Sequence, residues 1–167
     1  TQDSTGLGIA LEKFLWGSWT PAKVKMAVSG CPRNCSESTC KDVGVICVDS
    51  GYEIHFAGAA GLDIKPTEIL GHVKTQEEVI EVVAALVQLY REQGRYLERV
   101  YKWAKRVGSD SIKAAVLHDT DKRKALCDRF ALSQKFAQID PWAERVRGLD
   151  AHEFEPLANV AFKVAAE

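Results

Sequence analysis

The chain has 167 residues, of which 46% are hydrophobic and 27% charged, with 22 Lys and Arg against 23 Asp and Glu. That composition excludes a disordered or fibrous chain. The formal net charge of −1 argues against a general nucleic-acid binder, which carries a basic excess. The longest apolar run, Val82 to Val87, is six residues, whereas a membrane helix needs about 20, so no membrane partner is expected. The length suits one domain or one and a half, burying roughly 70% of the unfolded surface. Five cysteines is an odd number, and Cys31, Cys35, Cys40 and Cys47 fall in the first third. This pattern, with no signal-peptide-like start, suits thiols kept reduced in the cytoplasm and used for metal binding or packing. The first residue is Thr1 and not Met, so the sequence reads as a piece of a longer protein.

Ser4 to Trp16 reads as a helix capped by Ser4 or Thr5, with Gly17 at its C′ position and with Gly6 and Gly8 weakening it. Val24 to Ser29 alternates as a strand and runs into the turn-forming Gly30-Cys31-Pro32-Arg33-Asn34-Cys35, with a short helix to Thr39. Val43 to Val48 is a buried strand, Asp49-Ser50-Gly51 a turn and Tyr52 to Ala57 a second strand, together a β-hairpin. Gly58 to Gly61 reads as a loop. From Thr75 the pattern is helical, opened by a capping box of Thr75 and Glu78, with Val79, Val82, Val83, Leu86 and Tyr90 on one stripe. Further helices are expected over Arg95–Val107, from Ser109 as cap to Leu117, and from Asp119 or Thr120 to Gln138, where Pro141 stops the chain. Residues 142–167 read as an extended or loosely helical tail. The fold class is α+β: a small mixed or antiparallel sheet with flanking helices, then an all-helical region. The division falls at 1–74 and 75–167.

The strongest chemical feature is Cys31-Pro32-Arg33-Asn34-Cys35 at the end of a strand. Two thiolates across a tight turn can face one soft metal centre, and thiolates select zinc, copper(I) or iron–sulfur clusters. The spacing alone leaves a second reading open, in which both are small packed residues. A zinc or cluster site normally takes four protein ligands. One pair plus Cys40 leaves such a site incomplete, while Cys47 and Cys127 read as packed. Arg33 reads as an anion partner or a solvated cation, and Asn34 as a residue that satisfies the turn backbone. His55 is expected to point outward on the hairpin, and His72, His118 and His152 are scattered without ligand spacing. Trp16 and Trp19 are expected to cover core or a cofactor face, and Trp142 to anchor the tail.

The string Trp19-Thr20-Pro21-Ala22-Lys23-Val24-Lys25-Met26-Ala27-Val28-Ser29-Gly30-Cys31-Pro32-Arg33-Asn34-Cys35 resembles the siroheme and iron–sulfur domain of nitrite and sulfite reductases. Lys41-Asp42-Val43-Gly44-Val45-Ile46, Leu89-Tyr90-Arg91-Glu92 and Arg95-Tyr96-Leu97-Glu98-Arg99 fit the same family. The likeness is strongest to the C-terminal part of the large subunit of bacterial assimilatory NAD(P)H-dependent nitrite reductases. It implies a 4Fe-4S cluster held by two cysteine pairs, of which the second matches Cys31 and Cys35. It implies that Cys35 also bridges the cluster to the siroheme iron, and that Arg33 and Asn34 contact the cofactors. The first pair, with five residues between its members, is expected just upstream of Thr1. So are most of the basic residues for nitrite and for the siroheme carboxylates, and the FAD region. The parent would reduce nitrite to ammonia with NAD(P)H, beside a small subunit, and this chain alone would be inactive. Cys40 stands where the family pattern expects an apolar residue. The rivals are a sulfite reductase domain and a zinc-binding or docking module built on Cys31, Cys35 and Cys40.

Overall fold

A computed structural model describes residues 1–149. The elements are α1 (Ser4–Leu15), β1 (Met26–Ser29), a 3-10 turn (Ser38–Cys40), β2 (Val43–Val48), β3 (Gly51–Phe56), β4 (Ala59–Ala60), β5 (Ile64–Lys65), β6 (Glu68–Val73), α2 (Gln76–Gln93), α3 (Val100–Val107), α4 (Ser109–Lys113), a π-helical turn (Ala114–His118), α5 (Thr120–Ala137) and α6 (Pro141–Arg147). The fold is α+β. Its main sheet has the order β1-β2-β3-β6, with β1 parallel to β2 and the other pairs antiparallel.

The unbroken apolar run of β2 is explained by its central place. Val43, Val45 and Cys47 pair with Phe56, Ile54 and Tyr52 of β3, and all six face the main core. On the opposite face, Gly44 lets the 3-10 turn press close: a Cβ there would lie 2.1 Å from the Ser38 carbonyl oxygen. Helix α2 supplies the other wall of the core. Its expected stripe is buried, and so are Ala84, Ala85, Val87 and Leu89, because it packs against α5 as well as the sheet side. The capping box forms, with the Glu78 N–H donating to Thr75 Oγ1 and the Thr75 N–H to Glu78 Oε2, both 3.2 Å.

Several expectations are corrected. Asp3, not Ser4 or Thr5, caps α1, its carboxylate accepting from the Gly6 N–H at 2.8 Å. Gly17 does follow the helix in the left-handed region, at φ 77°. Strand β1 starts two residues later than read, since the Lys25 N–H is taken by the Asp42 carboxylate and not by the ladder. The segment Gly58 to Gly61 contributes β4, paired with β5, and β6 was not foreseen at all. Helix α3 begins at Val100 and not Arg95, because Leu97 adopts φ 61° and the Arg95 N–H donates to Glu98. Gly108, not Ser109, precedes α4, and the helix passes into the π-helical turn. Pro141 both ends the run after α5 and opens α6, capped by Asp140, so of the extended and loosely helical readings of the tail the helical one holds as far as Arg147. Trp142 is 77% exposed and anchors nothing among the described residues, and Trp16 and Trp19 lie outside the core. His152 and the rest of the tail beyond 149 lie outside the described residues.

The Arg95–Arg99 segment is pinned by its own charges. Arg106 donates to both Glu98 carboxylate oxygens, at 2.8 and 2.6 Å. That pairing, helped by the Arg95 N–H, holds the Glu98 carboxyl far below its ordinary value of 4.5, at about 2. The Tyr90 hydroxyl donates to the Glu98 carbonyl and accepts from the Ala22 N–H at 3.1 Å, and burial pushes its pKa up to about 12. A carboxyl depressed in the folded state stabilises above its unfolded pKa, and that stabilisation fades as pH falls towards the folded value. Glu98→Gln is therefore expected to lower the urea midpoint at pH 7. The gap to the unaltered chain should close between about pH 4.5 and pH 2. A gap independent of pH would contradict this.

Candidate functional site

Strand β1 delivers its last, buried residue Ser29 to the head of two successive turns. The first closes with the Asn34 N–H on the Cys31 carbonyl at 3.1 Å, and the second with the Glu37 N–H on the Asn34 carbonyl at 2.9 Å. Pro32 sits at the second position of the first turn, where its fixed φ is an advantage. Asn34 joins the turns in the left-handed region at φ 55°, which asparagine tolerates.

The Asn34 side chain is turned into the protein. Its Oδ1 accepts from the Ser38 N–H at 2.7 Å and from the Ser29 hydroxyl at 3.1 Å, and its Nδ2 donates to Thr39 Oγ1 at 2.6 Å. Behind it, the buried Ser29 and Ser38 hydroxyls lie 2.8 Å apart, and Ser38 Oγ reaches the carbonyls of Ala27 in β1 and Val45 in β2. This network ties the turn to two strands and leaves the cysteines at its outer surface.

The five thiols fall into distinct settings. Cys35 is exposed and Cys31 half-buried, both on the same double turn. Cys47 is fully buried in β2 and burial pushes its thiol up. Cys127 in α5 is also raised by burial and packs against the core. Cys40 lies in another place, its Sγ 3.8 Å from Lys41 Nζ and on the wall of a separate cavity. Arg33 is exposed and forms no ion pair among the described residues. Among the described residues no group of three or more His, Cys, Asp or Glu comes together to hold a metal ion. The zinc reading on Cys31, Cys35 and Cys40 therefore lacks a third donor. The pair puts two soft donors on one ordered turn, Cys35 exposed and Cys31 half-buried, and thiolates are the donors that a four-iron cluster takes.

Sequence reasoning missed two polar clusters. His55 does face away from the main core, as expected, but that side is covered: it is 6% exposed, with Nδ1 2.9 Å from Thr67 Oγ1 and Nε2 2.6 Å from Glu53. His72 reaches the other Glu53 oxygen at 2.7 Å. The register pairs Glu53 with His72 across β3 and β6, so this contact was invisible without β6. The second cluster is Asp42, 0% exposed, which pairs with Arg99 at 2.6 Å.

Residues 1–124 match the family described as nitrite and sulphite reductase 4Fe-4S domain. The chain belongs to this family. It is 47% identical over 144 residues to a nitrite reductase [NAD(P)H] of Bacillus subtilis (strain 168), covering 86% of the chain but 18% of that relative. It is 33% identical over 116 residues to an assimilatory-type sulfite reductase of Nitratidesulfovibrio vulgaris, covering 70% of the chain and 53% of that protein. The solved structure of the Mycobacterium tuberculosis NirA protein shares the fold at a TM-score of 0.61 and 21% identity, over 73% of this chain and 24% of that one. The matched span of residues 1–124 includes both the sheet and the cysteine turn. The chain spans under a fifth of the nitrite reductase it matches. No helix among the described residues is long and apolar enough to cross a membrane.

Proposed function

We propose that this chain is the part of an NAD(P)H-dependent nitrite reductase that completes the 4Fe-4S cluster and its junction with siroheme. The observation that carries the reading is the Cys31–Cys35 double turn, ordered from behind by Asn34 and open in front, in a chain of a 4Fe-4S domain family. Cys31 and Cys35 would supply two of the thiolates that hold the cluster, and Cys35, the more exposed, would serve its junction with siroheme. When bound, the two cofactors supply single-electron delivery to an iron that takes the substrate. Arg33, exposed on the same turn, would offer its guanidinium to a siroheme carboxylate as a charge-assisted partner. Asn34 keeps the cysteines at fixed separation.

FAD, the NAD(P)H site and most nitrite-binding cations belong to the remaining length of the parent enzyme, which also takes a small subunit and works in the cytoplasm. The higher identity to the nitrite reductase than to the sulfite reductase favours nitrite as substrate. Anaerobic turnover by the intact enzyme with each anion tests this. Faster reduction of nitrite, and none by the 167-residue chain alone, is the expected result. Preference for sulfite would move the assignment to that reaction, and turnover by the isolated chain would contradict the half-site reading.

A further inference from the structure

A cavity of about 330 Å³ opens at the end of β1 opposite the cysteine turn. Its walls come from segments far apart in sequence. Lys23 and Lys25 precede β1, Lys41 precedes β2, Arg99 and Lys102 lie at the start of α3, and Asp63 stands at the β4–β5 tip. Five cations thus meet one carboxylate in a chain whose net charge is −1. Lys41 is paired with Glu37 at 3.1 Å and Arg99 with Asp42 at 2.6 Å. Lys23, Lys25 and Lys102 have no carboxylate partner among the described residues. The Arg99 Nε is buried and leaves its hydrogen unshared. The Tyr101 hydroxyl donates to Asp63, which fixes the β4–β5 tip over the opening and engages the one acid.

Like charges gathered on several segments repel, and the gathering is relieved when a counter-charge enters. We propose that this cavity binds a small molecule carrying two or more negative charges as phosphate or carboxylate groups. The volume falls in the range of small-molecule sites, roughly 300–1,000 Å³. The walls enclose the space on several sides, so a compact ligand fits better than an extended chain. Along β1, four strand residues, about 13 Å, lie between Lys25 and the cysteine turn, while on the other side Cys40 and Lys41, just after that turn, reach the cavity wall. Neither Cys31 nor Cys35 lines the cavity, so the proposal does not rest on the cluster reading.

The test follows backbone amides of the ¹⁵N-labelled chain during titration with sodium tripolyphosphate and, separately, citrate at constant ionic strength. Saturable shifts are expected at Lys25, Lys41, the 59–63 segment and Arg99 to Lys102, with the Cys31–Cys35 turn unmoved. The anion that binds more tightly identifies phosphate or carboxylate as the preferred group. Lys25→Glu with Lys102→Glu should weaken binding by roughly tenfold or more, while Lys124→Glu with Lys135→Glu, at exposed positions elsewhere, should leave it unchanged. The spectrum of each variant shows directly whether the fold is retained. Shifts that do not saturate, or that survive unchanged in the Lys25/Lys102 variant, would overturn the proposal.

Discussion

Asp42→Ala is expected to cost about 3–5 kcal/mol of stability, the range for removing one partner of a buried ion pair. The carboxylate is 0% exposed and joins three elements. Its Oδ2 accepts from the Lys25 N–H at 2.9 Å, so it fixes where β1 begins. The same oxygen takes the Arg99 guanidinium at 2.6 Å, holding the N-terminus of α3. The Asp42 backbone carbonyl accepts from the Ala57 N–H at 3.0 Å, beyond the end of β3. Without the side chain, a partly buried Arg99 and a backbone donor lose their acceptor together. The pair is not ideal as it stands, since Asp42 Oδ1 and Arg99 Nε are both buried without partners. Replacing both residues, as Asp42→Asn with Arg99→Met, should therefore cost less than Asp42→Ala alone. Urea unfolding at constant slope checks this. A loss below about 1 kcal/mol for Asp42→Ala would put the pair in the class of weak surface ion pairs.

The second large effect falls on the cysteine turn. Asn34→Ala should destabilise by about 2–4 kcal/mol, combining the left-handed backbone penalty with unsatisfied partners. Ser38 N–H, the Ser29 hydroxyl and the Thr39 hydroxyl all lose their contact with the amide. Asn34→Gly separates the two causes, since glycine accepts φ 55° without strain. It should recover about 1 kcal/mol of the loss and no more. If Asn34→Gly restored full stability, the side-chain network would carry nothing. Because the same network orients Cys31 and Cys35, both variants are also expected to lower cluster loading in the intact enzyme.

Much of this fold is legible from local pattern. The β2 run, the turn before β3 and the Thr75–Glu78 box are decided within a few residues of sequence. The cysteine pair is legible for the same reason, since its turn is closed by neighbours from Ser29 to Thr39. What stayed hidden depends on residues far apart. Strand β6 carries Gly71 and His72 in its middle and exposes Ile69, so it shows no clean alternation; it is a strand because β3 offers it an edge. His55 was read on the correct face, but the cover from Thr67 and Glu53 arrives only through the tertiary structure. The late starts of β1 and of α3 share one cause, the engagement of the residues before them by Asp42 and Glu98. The basic cavity draws on segments that no linear motif connects.

The central claim is that Cys31 and Cys35 are half of a cluster site. Its most direct test is the iron and acid-labile sulfide content and the visible spectrum of a longer chain, extended upstream and purified anaerobically from cells that make siroheme. About four cluster irons plus one haem iron per chain, with siroheme bands that disappear in Cys35→Ser, is the predicted result. A colourless, iron-free protein, or a Cys35→Ser variant that loads both cofactors fully, would contradict it.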